Sequence, residues 1–93
     1  MTDIQAKILL VDDDARSLMA METLLTGPGR VVITADSGHE ALRQVLRHDF
    51  AVILLDVRMP RVDGFEAAEL IRQREQSRHT PIIFLSAVDK LEE

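Results

Sequence analysis

Four short, largely apolar runs punctuate the chain: Ile8–Val11, Val31–Thr34, Ala51–Leu55 and Ile82–Leu85. None alternates with polar residues as a strand with one wet face does, and three are rich in valine and isoleucine. Continuous runs of this kind predict strands covered on both faces, as in a parallel sheet. The intervening segments carry a helical period. From Ala15 to Thr26 the pattern places Leu18, Met21, Leu24 and Leu25 on one face, and Gly27-Pro28-Gly29 stops it. Ser37-Gly38-His39-Glu40 reads as a capping box, because Ser37 and Glu40 can each satisfy an orphan amide of the first turn. It opens a second helix that turns Ala41, Leu42, Val45 and Leu46 inward. A third starts near Gly64, with Phe65, Ala68 and Ile71 or Leu70 facing in and Arg72, Gln73, Arg74 and Glu75 facing out. Asp89 begins a fourth.

Strict alternation of strands and helices predicts an α/β domain built on an open, doubly wound parallel sheet. With 93 residues the expectation is one domain spanning positions 1–93. Hydrophobic residues make up 46% and charged residues 29%, which excludes a disordered chain. The chain has no cysteine, so disulfides, thiolate chemistry and zinc–thiolate sites are excluded. Sixteen acidic against eleven basic residues give a net charge of −5, which argues against binding to a nucleic-acid backbone. No apolar run is long enough to span a membrane, and the N-terminal MTDIQAK lacks the apolar core of a signal peptide. A cytoplasmic location is the expectation.

Doubly wound sheets bind ligands beyond the carboxyl ends of their strands. After the first strand stands Asp12-Asp13-Asp14; after the third, Asp56 with Arg58, Met59 and Pro60; after the fourth, Ser86-Ala87. If the first and third strands are neighbours, Asp12, Asp13 and Asp56 converge. Two like charges about 4 Å apart repel by about 4 kcal/mol at an effective dielectric of 20, so such a pocket calls for relief. A hard divalent cation supplies it, and Mg²⁺, which takes few carboxylates and keeps several waters, suits a shallow site open to phosphate. Helix capping is the alternative use of Asp12 to Asp14, and it leaves Asp56 unaccounted for.

These residues also carry a family pattern. Ile8-Leu9-Leu10-Val11-Asp12-Asp13, then Asp56-x-x-Met59-Pro60-x-x-Asp63-Gly64, then Phe84-Leu85-Ser86-Ala87 resemble the receiver domain of two-component response regulators. The resemblance implies a flavodoxin-like fold, here with strand order 2-1-3-4 and the fifth strand and last helix missing. It implies that Asp56 is the phosphoacceptor for a phosphohistidine on a sensor kinase or phosphotransfer protein. Asp13, Asp56 and the backbone carbonyl of Arg58 would hold Mg²⁺, with Asp12 acting through a metal-bound water. Ser86 would hydrogen-bond a phosphoryl oxygen and help shift a two-state switch, so the domain would be a signalling module rather than an enzyme acting on a metabolite. An output domain would belong to the full-length protein. Pro60 and Asp63-Gly64 would shape the loop before the third helix, proline by fixing φ and glycine by accepting positive φ.

The pattern departs from the family after the fourth strand. The family's lysine at the end of a fifth strand has no counterpart, and Lys90, at the start of the fourth helix, does not replace it. The chain is therefore expected to be C-terminally incomplete. The fourth strand, from Pro81 to Leu85, would then be an exposed apolar edge inviting self-association. Arg58, two positions after the phosphoacceptor, could pair with a phosphoryl group or face solvent.

Two other functions fit parts of the sequence. A haloacid dehalogenase-type phosphohydrolase would use Asp12 as nucleophile and Asp14 as general acid, with Ser86 ending a later strand. Ala15-Arg16 replaces that family's small residues, and the motif around Asp56 is left without a role. A phosphorylation-independent receiver-like scaffold would not need the set Asp12, Asp13, Asp56 and Ser86. His39, His48 and His79 fall outside the strand-end pocket and read as solvated surface residues. Arg72, Arg74 and Arg78 alternate with Glu75 and lack aromatics, so they form an outer helix face rather than a nucleic-acid surface. Met19 and Met21 read as packing residues of the first helix, whose surface is where the family's kinases dock. Phe50, Phe65 and Phe84 are the three aromatics and are expected in the core.

Overall fold

A computed structural model describes residues 5–59 and 63–85. Its elements run β1 (Ala6–Val11), α1 (Ala15–Leu25), β2 (Arg30–Ala35), α2 (Gly38–Arg47), β3 (Val52–Asp56), α3 (Gly64–Arg72) and β4 (Ile82–Leu85). All four expected strands and three expected helices are present. The expected fourth helix at Asp89, with Ser86 and Lys90, lies outside the described residues, as does Pro60.

The four strands form one parallel sheet in the order β2-β1-β3-β4. Central β1 is the most deeply covered: Leu9, Leu10 and Val11 are essentially without solvent contact. Alternate side chains serve two faces. Leu9, Val11, Ile53 and Leu55 meet Ala41 and Val45 of α2 and Ala67, Ala68 and Ile71 of α3 in the main core. Ile8 and Leu10 point the other way, towards α1. At the outer strand Ile82 packs against the main core, while Ile83 is exposed.

Helix ends are set by local chemistry. Asp14 caps α1, its carboxylate accepting from the Arg16 amide at 2.9 Å. Ser37 caps α2 through the Glu40 amide at 3.1 Å. The reciprocal half of the expected capping box is not among the hydrogen bonds. Glu40 turns along the helix instead, accepting from Gln44 Nε2 at 2.8 Å and pairing with Arg43 at 3.6 Å. Asp63 caps α3 through the Glu66 amide at 2.8 Å. The far end of α3 is closed by Ser77, whose buried hydroxyl donates to the Ile71 carbonyl at 2.7 Å. There Arg72 also donates to the carbonyls of Arg78 and Thr80, tying the loop to the entry of β4. Between α1 and β2 the chain reverses at Gly29, whose φ of 77° only glycine adopts freely.

Several inward assignments do not hold. α1 buries no residue: Leu18, Met21 and Leu25 are half-buried, whereas Met19 is 70% and Leu24 75% exposed. Met19 is thus not a packing residue. Leu46 lies on the flank of α2 and is exposed, and Leu70 yields the inward position to Ile71. Of the three phenylalanines Phe50 alone is buried. Phe65 and Phe84 lie against each other with tilted rings, 4.9 Å between centroids, and stay at the surface.

Candidate functional site

The site follows from strand register. Val11 of β1 pairs with Leu55 of β3, so the next residues, Asp12 and Asp56, emerge together at the carboxyl edge of the sheet. Asp56 is itself the last residue of β3 rather than the first of the loop, paired with Leu85 across the ladder to β4. The Asp12 amide is fixed by the Ala35 carbonyl of β2 at 3.1 Å and the Val57 amide by the Leu85 carbonyl at 3.2 Å. Two rigid ladders therefore carry the two carboxylates.

Asp12, Asp13 and Asp56 each offer a carboxylate oxygen, and these oxygens lie within 4.8 Å of one another. Asp12 and Asp56 are half-buried and Asp13 is exposed. Asp12 Oδ1 accepts from the Asp14 amide at 2.9 Å, and Asp56 Oδ1 from the Arg58 amide at 3.2 Å. Partial burial holds the Asp12 carboxyl above the ordinary carboxylate range. The Asp14 amide opposes that rise, and the neighbouring charges of Asp56 and Asp13 with a hydrogen bond to Asp56 add to it. A pocket in which burial and the neighbouring carboxylates disfavour the charged form of Asp12 is one that a small hard cation would relieve, and its all-oxygen donors suit Mg²⁺.

The expected convergence of Asp12, Asp13 and Asp56 is thus present. Asp14 stays apart, its carboxylate engaged at the cap of α1, so the Asp12–Asp14 pair required for dehalogenase-type hydrolysis is not assembled. Capping and site-building are divided among neighbouring residues rather than alternatives. The Arg58 side chain is exposed beside the site. Ser86 lies outside the described residues.

Two features of the β3–α3 connection were hidden in the sequence. Met59, three residues past Asp56, is buried in the main core and anchors the loop from beneath. Gly64 does not adopt positive φ, contrary to the expectation for this loop; it is the first residue of α3 with an ordinary backbone. Its need is steric, since a Cβ there would meet the backbone of Asp56 and Val57. Only the spacing from Asp56 hinted at either. Among the histidines, His39 and His79 are exposed as expected, but His48 is half-buried. Its Nδ1 accepts from Lys7 Nζ at 3.2 Å and its ring packs against Phe50, away from the carboxylates.

A parallel doubly wound sheet with acidic groups gathered where β1 and β3 end defines a class of phosphate- and cation-handling α/β modules. Comparison narrows the class. The family model of the response regulator receiver domain matches residues 8–93, and the chain belongs to that family. It is 38% identical over 84 residues to the sensor histidine kinase GacS of Pseudomonas protegens, covering 87% of this chain and 9% of that protein. It is 36% identical over 85 residues to PilG of Pseudomonas aeruginosa, covering 91% of this chain and 63% of PilG. The chain thus spans less than two thirds of either relative. Among solved structures, the Vibrio cholerae chemotaxis protein CheY4 superposes with a TM-score of 0.83 at 34% identity, over 95% of this chain and 76% of that one. The receiver domain of a Pseudomonas aeruginosa sensor histidine kinase gives 0.84 at 36% identity, over 90% and 69% of the two chains. That structure holds a magnesium ion coordinated in its active-site cleft. The strand order matches the receiver fold, and the chain is a phosphoacceptor module of two-component signal transduction. Among the described residues no helix is long and apolar enough to cross a membrane.

Proposed function

We propose that Asp56 accepts a phosphoryl group from a phosphohistidine of a sensor kinase or phosphotransfer protein. The observation that carries this reading is the convergence of three carboxylate oxygens within 4.8 Å at the ends of β1 and β3. A carboxylate oxygen of Asp56 attacks phosphorus as the phosphorus–nitrogen bond breaks, and the imidazole nitrogen keeps the bonding pair. Asp13, Asp56 and the Arg58 carbonyl would hold Mg²⁺, with Asp12 reaching it through water. When bound, the ion neutralises charge on the transferring group and holds it in line.

The chain's own residues do the rest. The Arg58 amide steadies one Asp56 oxygen and the Asp14 amide steadies Asp12. Ser86 hydrogen-bonds the new phosphoryl group. The reaction leaves an acyl phosphate whose charge biases a two-state equilibrium, so the module acts as a switch and not as an enzyme turning over a metabolite. Its readout belongs to the polypeptide that carries it.

Intact-mass spectrometry tests this with a small-molecule phosphodonor, with and without Mg²⁺, on the wild type and Asp56→Asn. A single Mg²⁺-dependent phosphoryl adduct that the variant lacks is the expected result. An adduct retained by Asp56→Asn, or one that moves to Asp12, would overturn it.

A further inference from the structure

Gly64 stands where a loop returns onto its own starting strand. It opens α3, and its amide donates to the Val57 carbonyl at 3.2 Å. A Cβ built on it would collide with the Asp56 carbonyl oxygen, and would lie 2.5 Å from Val57 Cα and 2.9 Å from the Asp56 carbonyl carbon. Every one of these atoms is backbone, so no side-chain rotation could make room. Nor does conformation demand glycine, because the φ of Gly64 is not in the left-handed region and alanine is the better helix former. The residue is buried, and the Asp63 cap and the buried Met59 fix the loop on either side of the stretch outside the described residues.

We infer that Gly64 is a positioning residue for Asp56: its bare Cα lets the first turn of α3 seat directly on the Asp56–Val57 peptide and so sets where the carboxylate stands. The inference rests on Asp56 being the phosphoacceptor and adds the element that holds it. A side chain at position 64 must lift α3 or push the Asp56 peptide, and either opens the three-carboxylate cluster.

The test compares Gly64→Ala with Asp63→Ala, which frays the same helix end by removing its cap without touching Asp56. Each is measured for thermal stability, Mg²⁺ affinity by titration calorimetry, and phosphorylation rate with a small phosphodonor. Gly64→Ala is expected to lower Mg²⁺ affinity and phosphorylation rate at least tenfold, while Asp63→Ala stays within twofold of wild type in both. Gly64→Ala within twofold of wild type, or a parallel loss in the two variants, overturns the inference. Should Gly64→Ala not fold, the wild-type chain decides by NMR. The Gly64 amide is expected to shift along the Mg²⁺ binding isotherm and further than Phe65, and an unmoved Gly64 amide at saturation overturns the proposal. A wild type that neither binds Mg²⁺ nor takes phosphate overturns the reading of Asp56 itself, a different outcome from loss in the variant alone.

Discussion

Asp12 and Asp56, 44 positions apart in the chain, stand side by side because Val11 and Leu55 are partners in a parallel ladder. The juxtaposition is a property of the sheet, not of a loop, so it persists whether or not a cation sits between the carboxylates. The acidic pocket is built in advance, and folding bears its electrostatic cost.

That cost has a pH signature. The Asp12 carboxyl is raised above its ordinary value of 3.8, first by burial and then by Asp56 and Asp13. A raised carboxyl binds protons more tightly in the folded state, so its contribution favours folding below pH about 4 and is lost as pH rises through the folded value. In a chelator, Asp12→Asn is therefore expected to be more stable than wild type at neutral pH. The asparagine oxygen still accepts from the Asp14 amide. Urea midpoints measured from pH 4 to 7 should show the advantage of the variant growing and then levelling. A difference independent of pH would contradict the assignment.

Cation binding should reverse the same penalty. At Mg²⁺ one hundred times its dissociation constant, a single site stabilises by about 2.7 kcal/mol. For a domain of this size that corresponds to a rise in Tm on the order of 10–20 °C. Asp13→Asn should abolish most of the rise, and melts in Mg²⁺ and in chelator measure it directly.

Asp14 should behave differently from its neighbours. Its carboxylate caps α1, so Asp14→Ala is expected to destabilise by about 1 kcal/mol in urea unfolding. Mg²⁺ affinity should remain within about twofold of wild type. Loss of Mg²⁺ binding in this variant would place Asp14 in the cation site.

The two faces of the sheet should respond unequally to truncation. Ile71 is fully buried between α3 and the sheet, and Ile71→Ala is expected to cost roughly 2–5 kcal/mol. Leu24 of α1 is exposed, and Leu24→Ala should change stability by no more than about 0.5 kcal/mol. Urea denaturation of the pair checks the contrast.

The strands were legible because they are continuous apolar runs, and the ladders shift them by at most two residues: Ala6 and Lys7 join β1, Arg30 and Ala35 join β2, and Asp56 joins β3 while Ala51 falls outside it. The convergence of Asp12, Asp13 and Asp56 followed from placing acidic groups at strand ends, but the adjacency of β1 and β3 came through family resemblance, since periodicity carries no strand order. Helix faces were read less well. Leu24 and Phe65 have the right character for a core, yet burial depends on what stands opposite, and hydrophobic spacing does not report that. Gly64 was singled out for the wrong reason. A glycine letter states that a side chain is missing, and only coordinates reveal that the Asp56 peptide fills the space.

α1 has no residue in the core, although it follows directly from the acidic cluster. Its outward positions are consequently the part of the domain where sequence can drift at least cost to the fold. Residues on the outer side of α1 can change while the carboxylates, held by β1 and β3, keep their places.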